Sequence, residues 1–339
     1  MAGLLKRLAP QLIALAALVA LVTAVYPAFL TISFHDGRLV GPLIDVAKRA
    51  APVALLATGM TLVIATRGID LSVGTIMAIC GAVAATAITA GWGLPVALLL
   101  ALGAGALAGL WNGVLVSVIG IQPFVATLIL MTLGRGIAQL ITEGRIMTFT
   151  HPGFGWIGSG TLLGLPVPAW IWIGTAALVA LVLRRTALGM LIEATGINRR
   201  ASAVAGVNAT VLLIAVYIAS GVCAALAGLI VTADIRGADA NNAGLWLELD
   251  AILAVVIGGN ALLGGRFSIA AAVIGALIIQ TITIGIRRAG FPSEYNLIIK
   301  AVLVLVILVL QSPRISAEWR LWRDSQRASR EAALKGGAR

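Results

Sequence analysis

Charge is the scarcest thing in this sequence. Only 11% of its 339 residues are Asp, Glu, Lys or Arg, while 60% are hydrophobic. A soluble domain carries roughly 25% charged residues, so a water-soluble globular fold of this size is excluded. Cysteine is nearly absent. Cys80 and Cys223 both fall in apolar runs without CxxC spacing, which speaks for packing as small hydrophobes. His35 and His151 stand alone between apolar runs, too few ligands for a metal site. No paired acids, histidine cluster or nucleophile motif converges on an enzyme site. GxxxxGK[ST] occurs nowhere, so the chain has no P-loop to cradle nucleotide phosphates, and no cofactor of its own is expected.

What it has instead is long apolar runs. A helix needs about 20 apolar residues to cross a hydrocarbon core of roughly 30 Å. Runs at 8–26, 93–119, 210–232 and 268–286 meet that length, 169–183 approaches it, and all are too long for barrel strands. The expected fold is an all-α polytopic membrane protein with ten helices, over about 8–26, 48–66, 71–90, 94–118, 123–142, 168–183, 210–231, 249–263, 268–286 and 295–311. Lys6 and Arg7 precede the first run in the manner of a signal peptide. That run exceeds a usual signal core and lacks a small-residue cleavage site, so it reads as a retained span.

The net charge is +11. The basic residues flank spans rather than forming one soluble face, so nucleic acid is not an expected partner. With the N-terminus inside, fifteen of the 24 Lys and Arg residues fall in inner segments, seven in outer segments and two within spans. That asymmetry predicts both termini in the cytoplasm. Trp92, Trp156, Trp170, Trp172 and Trp246 fall near outer ends, as an interfacial belt does; a sugar-stacking role is the alternative. The division expected is a membrane domain over 1–311, with an inner loop at 184–209, and a basic tail over 312–339. The tail contains Trp319 and Trp322 and reads as an amphipathic helix on anionic membrane lipid, or else as disordered. The small-residue stretch 101–113, ALGAGALAGLWNG, reads as a helix-packing face.

Three polar motifs interrupt this pattern. RGIDLSVG at 67–74 separates two apolar runs. Asp70 or Ser72 either caps the helix that follows or marks a bend at a pathway or inner gate. A related start occurs at 248–252, where Glu248 and Asp250 open an apolar run that ends in GGNALLGG at 258–265. Two similar starts on opposite faces point to an inverted repeat, helices 2–5 against helices 7–10. The inner loop carries Glu193, Ala194, Gly196, Asn198, Arg199 and Gly206. An acid, small residues and a helix-breaking glycine give a short helix–turn–helix on the membrane, either a plain connector or the docking surface of a cytoplasmic motor. Arg135 and Glu143 are placed to pair. Polar groups within or beside spans, among them Asn112, Gln122 and Thr127, are helix–helix glue or sugar contacts. A self-sufficient secondary carrier would need its own coupling site, and the scarcity of buried charge speaks against one.

GIDLSVG at 68–74, the loop at 193–206 and the stretch 248–265 together resemble the permeases of the ribose/galactose/arabinose class of ABC importers, over about 41–311. The stretches 52–74, 122–130 and 233–259 resemble the galactofuranose-importing members of that class most. The resemblance implies a vitamin-B12-importer-like (type II) permease fold in the bacterial inner membrane. It implies three partners: an ATPase subunit that uses ATP, a second homologous permease and a periplasmic sugar-binding protein; membrane lipid is the further partner expected from the basic tail. On it, Glu193, Ala194, Gly196, Asn198, Arg199 and Gly206 couple to the ATPase. Asp70, Ser72, Asn112, Gln122, Thr127 and Asp250 are pathway candidates for a monosaccharide. Other pentoses and hexoses are the alternative cargo. Arg67 stands where such permeases often have glycine.

Overall fold

The computed structural model describes residues 2–35 and 37–290, and beyond these 292, 295, 297–302 and 305. The chain divides into two compact units, Met1–Ala289 and Gly290–Arg339. In the second, Tyr295, residues 297–302 and Leu305 are helical. The rest of the expected tenth span and the basic tail at 312–339 lie outside the described residues.

The first unit is a helical bundle. Helix α1 (Ala2–Val25) is followed by a 3-10 turn (Pro27–Leu30) and a small hairpin pairing Ser33–His35 with Arg38–Val40. Helices α2 (Pro42–Ala65), α3 (Val73–Thr89), α4 (Leu94–Val114) and α5 (Pro123–Ile141) come next. Helix α4 continues as a π-helical stretch over Leu115–Ile119. A short helix α6 (Pro152–Ser159) precedes α7 (Val167–Arg185), and α8 (Leu188–Ile197) and α9 (Arg199–Val204) form the loop between α7 and α10 (Ala209–Ile235). Helices α11 (Leu247–Ile257) and α12 (Ile269–Arg288) complete the unit. Among the described residues, seven helices are long and apolar enough to cross a membrane. The chain is a multi-pass helical membrane protein.

Burial sorts the helices into an inner and an outer set. The apolar windows of α2 and α12 are each 78% buried and that of α10 is 61%, whereas those of α4 (22%), α5 (28%) and α7 (28%) are mostly exposed. Lipid tails are as apolar as leucine, so burial in a membrane gains little; close backbone packing at small residues takes its place. The expected packing face on α4 does this against α10. A Cβ at Gly105, Gly109 or Gly113 would stand within 2.8 Å of the α10 backbone or of Ala225. Gly228 on α10 packs in the same way on Met77 of α3.

Some boundaries differ from expectation. Helix α2 begins at Pro42 rather than near 48, because its first charged turns are held by partners: Asp45 pairs with Arg288 of α12 at 2.8 Å and Lys48 with Asp234 of α10 at 2.6 Å. Helix α11 stops at Ile257 rather than 263, because Gly258 and Gly259, the latter with φ +79°, turn the chain. Helix α6 falls in a stretch expected to be loop; it packs on α10 and α7.

Candidate functional site

Helix α2 ends with a residue in the left-handed region. The Arg67 amide donates to Ile64 O (2.9 Å) and the Gly68 amide to Val63 O (3.0 Å), the two bonds of a Schellman motif, and Arg67 has φ +66°. The chain then runs to Asp70, whose side chain is 0% exposed. Its Oδ1 accepts from the Ser72 amide (3.1 Å) and Ser72 Oγ (2.6 Å), and its Oδ2 accepts from Ser220 Oγ (2.9 Å) of α10. Asn112 Nδ2 of α4 donates to Ser72 Oγ at 2.8 Å, and Thr127 Oγ1 of α5 donates to Ile69 O at 3.1 Å. Helices α4, α5 and α10 thus meet on the segment between α2 and α3. Asn112 Oδ1 and Tyr217 Oη are buried there without a hydrogen-bond partner among the described residues.

This corrects the capping role expected of Asp70 or Ser72. Ser72 occupies the N-cap position of α3 but makes no side-chain cap bond, because its hydroxyl is turned to Asp70; Asp70 in turn closes an Asx-type turn ahead of the helix. The interruption therefore brings Asp70, Ser72, Asn112 and Thr127 together. Gln122, at the N-cap position of α5, is exposed and outside this network. Asp250 lies elsewhere, half-buried in the first turn of α11. Ser220 and Tyr217 complete the cluster, and neither is marked by any local motif.

The second interruption precedes α11. Trp246 stands at the N-cap position of that helix with φ +67° and makes no side-chain cap bond, and Gly244 with φ +73° lies so close to Gly74 of α3 that a Cβ would meet Gly74 O at 2.2 Å. Glu248, not Asp250, is the buried acid, 4% exposed and against Gly74. Arg135 of α5 donates through Nη1 to Ala240 O (2.9 Å) and Ala243 O (2.7 Å), and Gln139 Nε2 donates to Asn241 Oδ1 (2.7 Å). The expected Arg135–Glu143 pair does not form. Arg135 points to the loop after α10, and Glu143, beyond the end of α5 with φ +52°, lies 4.0 Å from Arg145. In that loop, burial pushes the Asp239 carboxyl up. Hydrogen bonds from the Asn242 side chain and from the Asn242 and Asn241 amides, with the charge of Arg135, outweigh it and hold Asp239 below the usual carboxylate range.

The loop over 184–209 is a helix–turn–helix, as its composition predicts. Its break falls elsewhere than expected. Gly196 lies inside α8; the chain turns at Asn198, whose Oδ1 accepts from the Ala201 amide at 3.0 Å and caps α9. Gly196 is needed for contact instead, since a Cβ there would stand 1.9 Å from Ala65 O at the end of α2. Arg199 Nη2 donates to Ser117 O in the π-helical stretch at 3.4 Å. Gly206 turns the chain with φ +88°. Glu193, with Ala194 beside it, is half-buried and lines a cavity of about 580 Å³ with Arg184, Asn260 and Arg266.

A protein-family model described as "Branched-chain amino acid transport system / permease component" matches residues 43–308. The chain belongs to this permease family. The match takes in both interruptions and the 184–209 loop of the permease. Over 90% of its length the permease is 60% identical to the galactofuranose transporter permease protein YtfT of Escherichia coli (strain K12), covering 89% of that protein. It is 41% identical over 97% of its length to the fructose import permease protein FruF of Bifidobacterium longum, covering 92% of that chain. To the ribose import permease protein RbsC of E. coli (strain K12) it is 40% identical over 90% of its length, covering 93% of that chain. No solved structure matches the permease.

Proposed function

We propose that this chain is the permease subunit of an ATP-driven importer that carries a monosaccharide, galactofuranose, across the bacterial inner membrane. The observation that carries the sugar is the 60% identity to a galactofuranose transporter permease along nearly the whole chain. ATP is hydrolysed by a separate ATPase, sugar arrives from a periplasmic binding protein, and a second homologous permease completes the pathway; this chain binds no cofactor. Fructose or ribose is the alternative cargo, favoured by the 41% and 40% identities to their permeases.

The architecture proposed is ten spans over 1–311 with both termini in the cytoplasm and a type II permease fold with an inverted repeat. One feature of the packing supports the repeat. Exchange α2 with α10, α3 with α11 and α4 with α12. The pairs α3–α10, α4–α10 and α3–α4 then become α11–α2, α12–α2 and α11–α12, all of which pack in the structure. The loop 184–209 docks the ATPase through Glu193, Ala194, Gly196, Asn198, Arg199 and Gly206. Of the pathway candidates, Asp70, Ser72, Asn112 and Thr127 hold the bend beside the pathway. Gln122 and Asp250, the two with exposed surface, are the ones proposed to meet sugar.

The test is affinity isolation from the native membrane followed by uptake in proteoliposomes. Co-isolation of an ATPase and a second permease, and ATP-dependent uptake of labelled galactofuranose in preference to ribose and fructose, is the expected result. Isolation with no ATPase under mild detergent overturns the importer assignment; preferential ribose or fructose uptake overturns the cargo.

A further inference from the structure

The C′ position of a Schellman motif is where glycine is least costly, because a side chain there crowds the following carbonyl by roughly 1–2 kcal/mol. Arg67 occupies that position with φ +66°. A residue persists in an unfavourable backbone conformation where the surrounding structure holds it, so Arg67 is a place to look for a role. Here the side chain leaves its own helix altogether. Its Nη2 donates to Ile197 O, the last residue of α8, at 2.7 Å, across 130 residues of sequence. The final carbonyls of a helix lack intrahelical partners and carry the negative end of its dipole, so a guanidinium is the fitting donor. The Arg67 stem passes over Gly264, where a Cβ would meet Arg67 Cγ at 2.5 Å.

The backbone around this bond is joined just as closely. Ala65 O, two residues before Arg67, accepts from the Gly265 amide at 2.9 Å and faces Gly196 with no side chain between. Three segments therefore share one junction: the end of α8, the end of α2 and the turn after α11. On the other side of Arg67, three residues on, Asp70 is fixed to α10 through Ser220 and, through Ser72, to Asn112 of α4. Arg67 thus stands between the end of α8 and the segment that carries Asp70.

We propose that Arg67 is a positioning residue that transmits motion of the 184–209 loop to the interruption before α3. The proposal rests on the motor-docking reading of that loop. Arg67→Gly is the discriminating variant, because glycine suits φ +66° better than arginine and the fold is not put at risk. The complete complex is reconstituted in proteoliposomes with the binding protein, and ATP hydrolysed per labelled galactofuranose taken up is measured. Arg67→Gly raises that ratio by about fivefold to tenfold, the scale of one solvent-exposed hydrogen bond, with the midpoint of thermal unfolding unchanged or raised. Arg67→Lys, which keeps the cation on a flexible stem, restores part of the coupling. An unchanged ratio in Arg67→Gly, alongside normal wild-type uptake, overturns the transmission role alone. Absence of ATP-dependent uptake in the wild-type complex instead overturns the motor-docking reading, and this role with it.

Discussion

The two interruptions do the same topological work by opposite means. Each starts a helix shorter than the bilayer is thick, α3 with 17 residues and α11 with 11. Each lies close to a non-glycine residue in the left-handed region, Arg67 or Trp246. Before α3 a fully buried carboxylate is surrounded by hydroxyls and an amide, each a short neutral donor. Before α11 a guanidinium reaches two backbone carbonyls, and the loop it holds is open to solvent at 241, 242, 245 and 246. The difference follows from solvent. Buried polar groups must find all their partners inside the protein, so several small donors converge on Asp70. A loop that water reaches needs only to be positioned, and one long side chain from α5 does that.

Substitutions break this comparison in graded order. Gly244→Ala attacks the contact both interruptions share, since it strains a left-handed residue and drives a Cβ into the Gly74 carbonyl. A loss of about 4 kcal/mol is expected, seen as little monodisperse protein in detergent. Asp70→Ala strands two serine hydroxyls in the core and costs about 3 kcal/mol by thermal unfolding, while Asp70→Asn costs about 1 kcal/mol because an acceptor remains. If Asp70→Ala melts like the wild type, the buried network does not hold the bend. Arg135→Gln costs less, about 1–2 kcal/mol, and its effect is local. Faster amide exchange is expected in residues 237–246 and not in 66–75; equal acceleration of both would show that the two interruptions unfold together.

The smallest effect is one of pH. The Asp239 carboxyl lies below its ordinary value near 3.9, so its ionised form stabilises the loop at all pH values above that. The contribution is lost as pH falls through the depressed folded value. Amide exchange at Asn241 and Asn242, taken relative to the unstructured-chain rate at each pH, should stay slow from neutrality to about pH 4 and accelerate below it. In Asp239→Asn the acceleration should vanish; its persistence would assign the transition to another carboxylate.

Much of this molecule was legible from local composition. Apolar runs fix where helices form in a membrane, and the expected ranges for α3, α4, α5, α7, α10 and α12 match within a few residues of their ends. The break at 66–72, the helix–turn–helix at 184–209 and the glycine face of α4 are local features too, since each depends on residues a few positions apart. Motif spacing likewise pointed to the permease family.

Which polar groups meet was decided only by the tertiary structure. Ser220 joins Asp70 from 150 residues away, and Arg67 reaches Ile197 across 130. Arg135 turned from Glu143, eight positions on, to carbonyls more than a hundred positions away. Between Glu248 and Asp250, two positions apart in the first turn of α11, helix rotation against Gly74 buried the first and left the second half-exposed. The physical reason is common to all four. Hydropathy is summed residue by residue along the chain, so spans are written locally. A hydrogen bond needs donor and acceptor within about 3 Å, and that proximity depends on the rotation and depth of two helices that only packing sets.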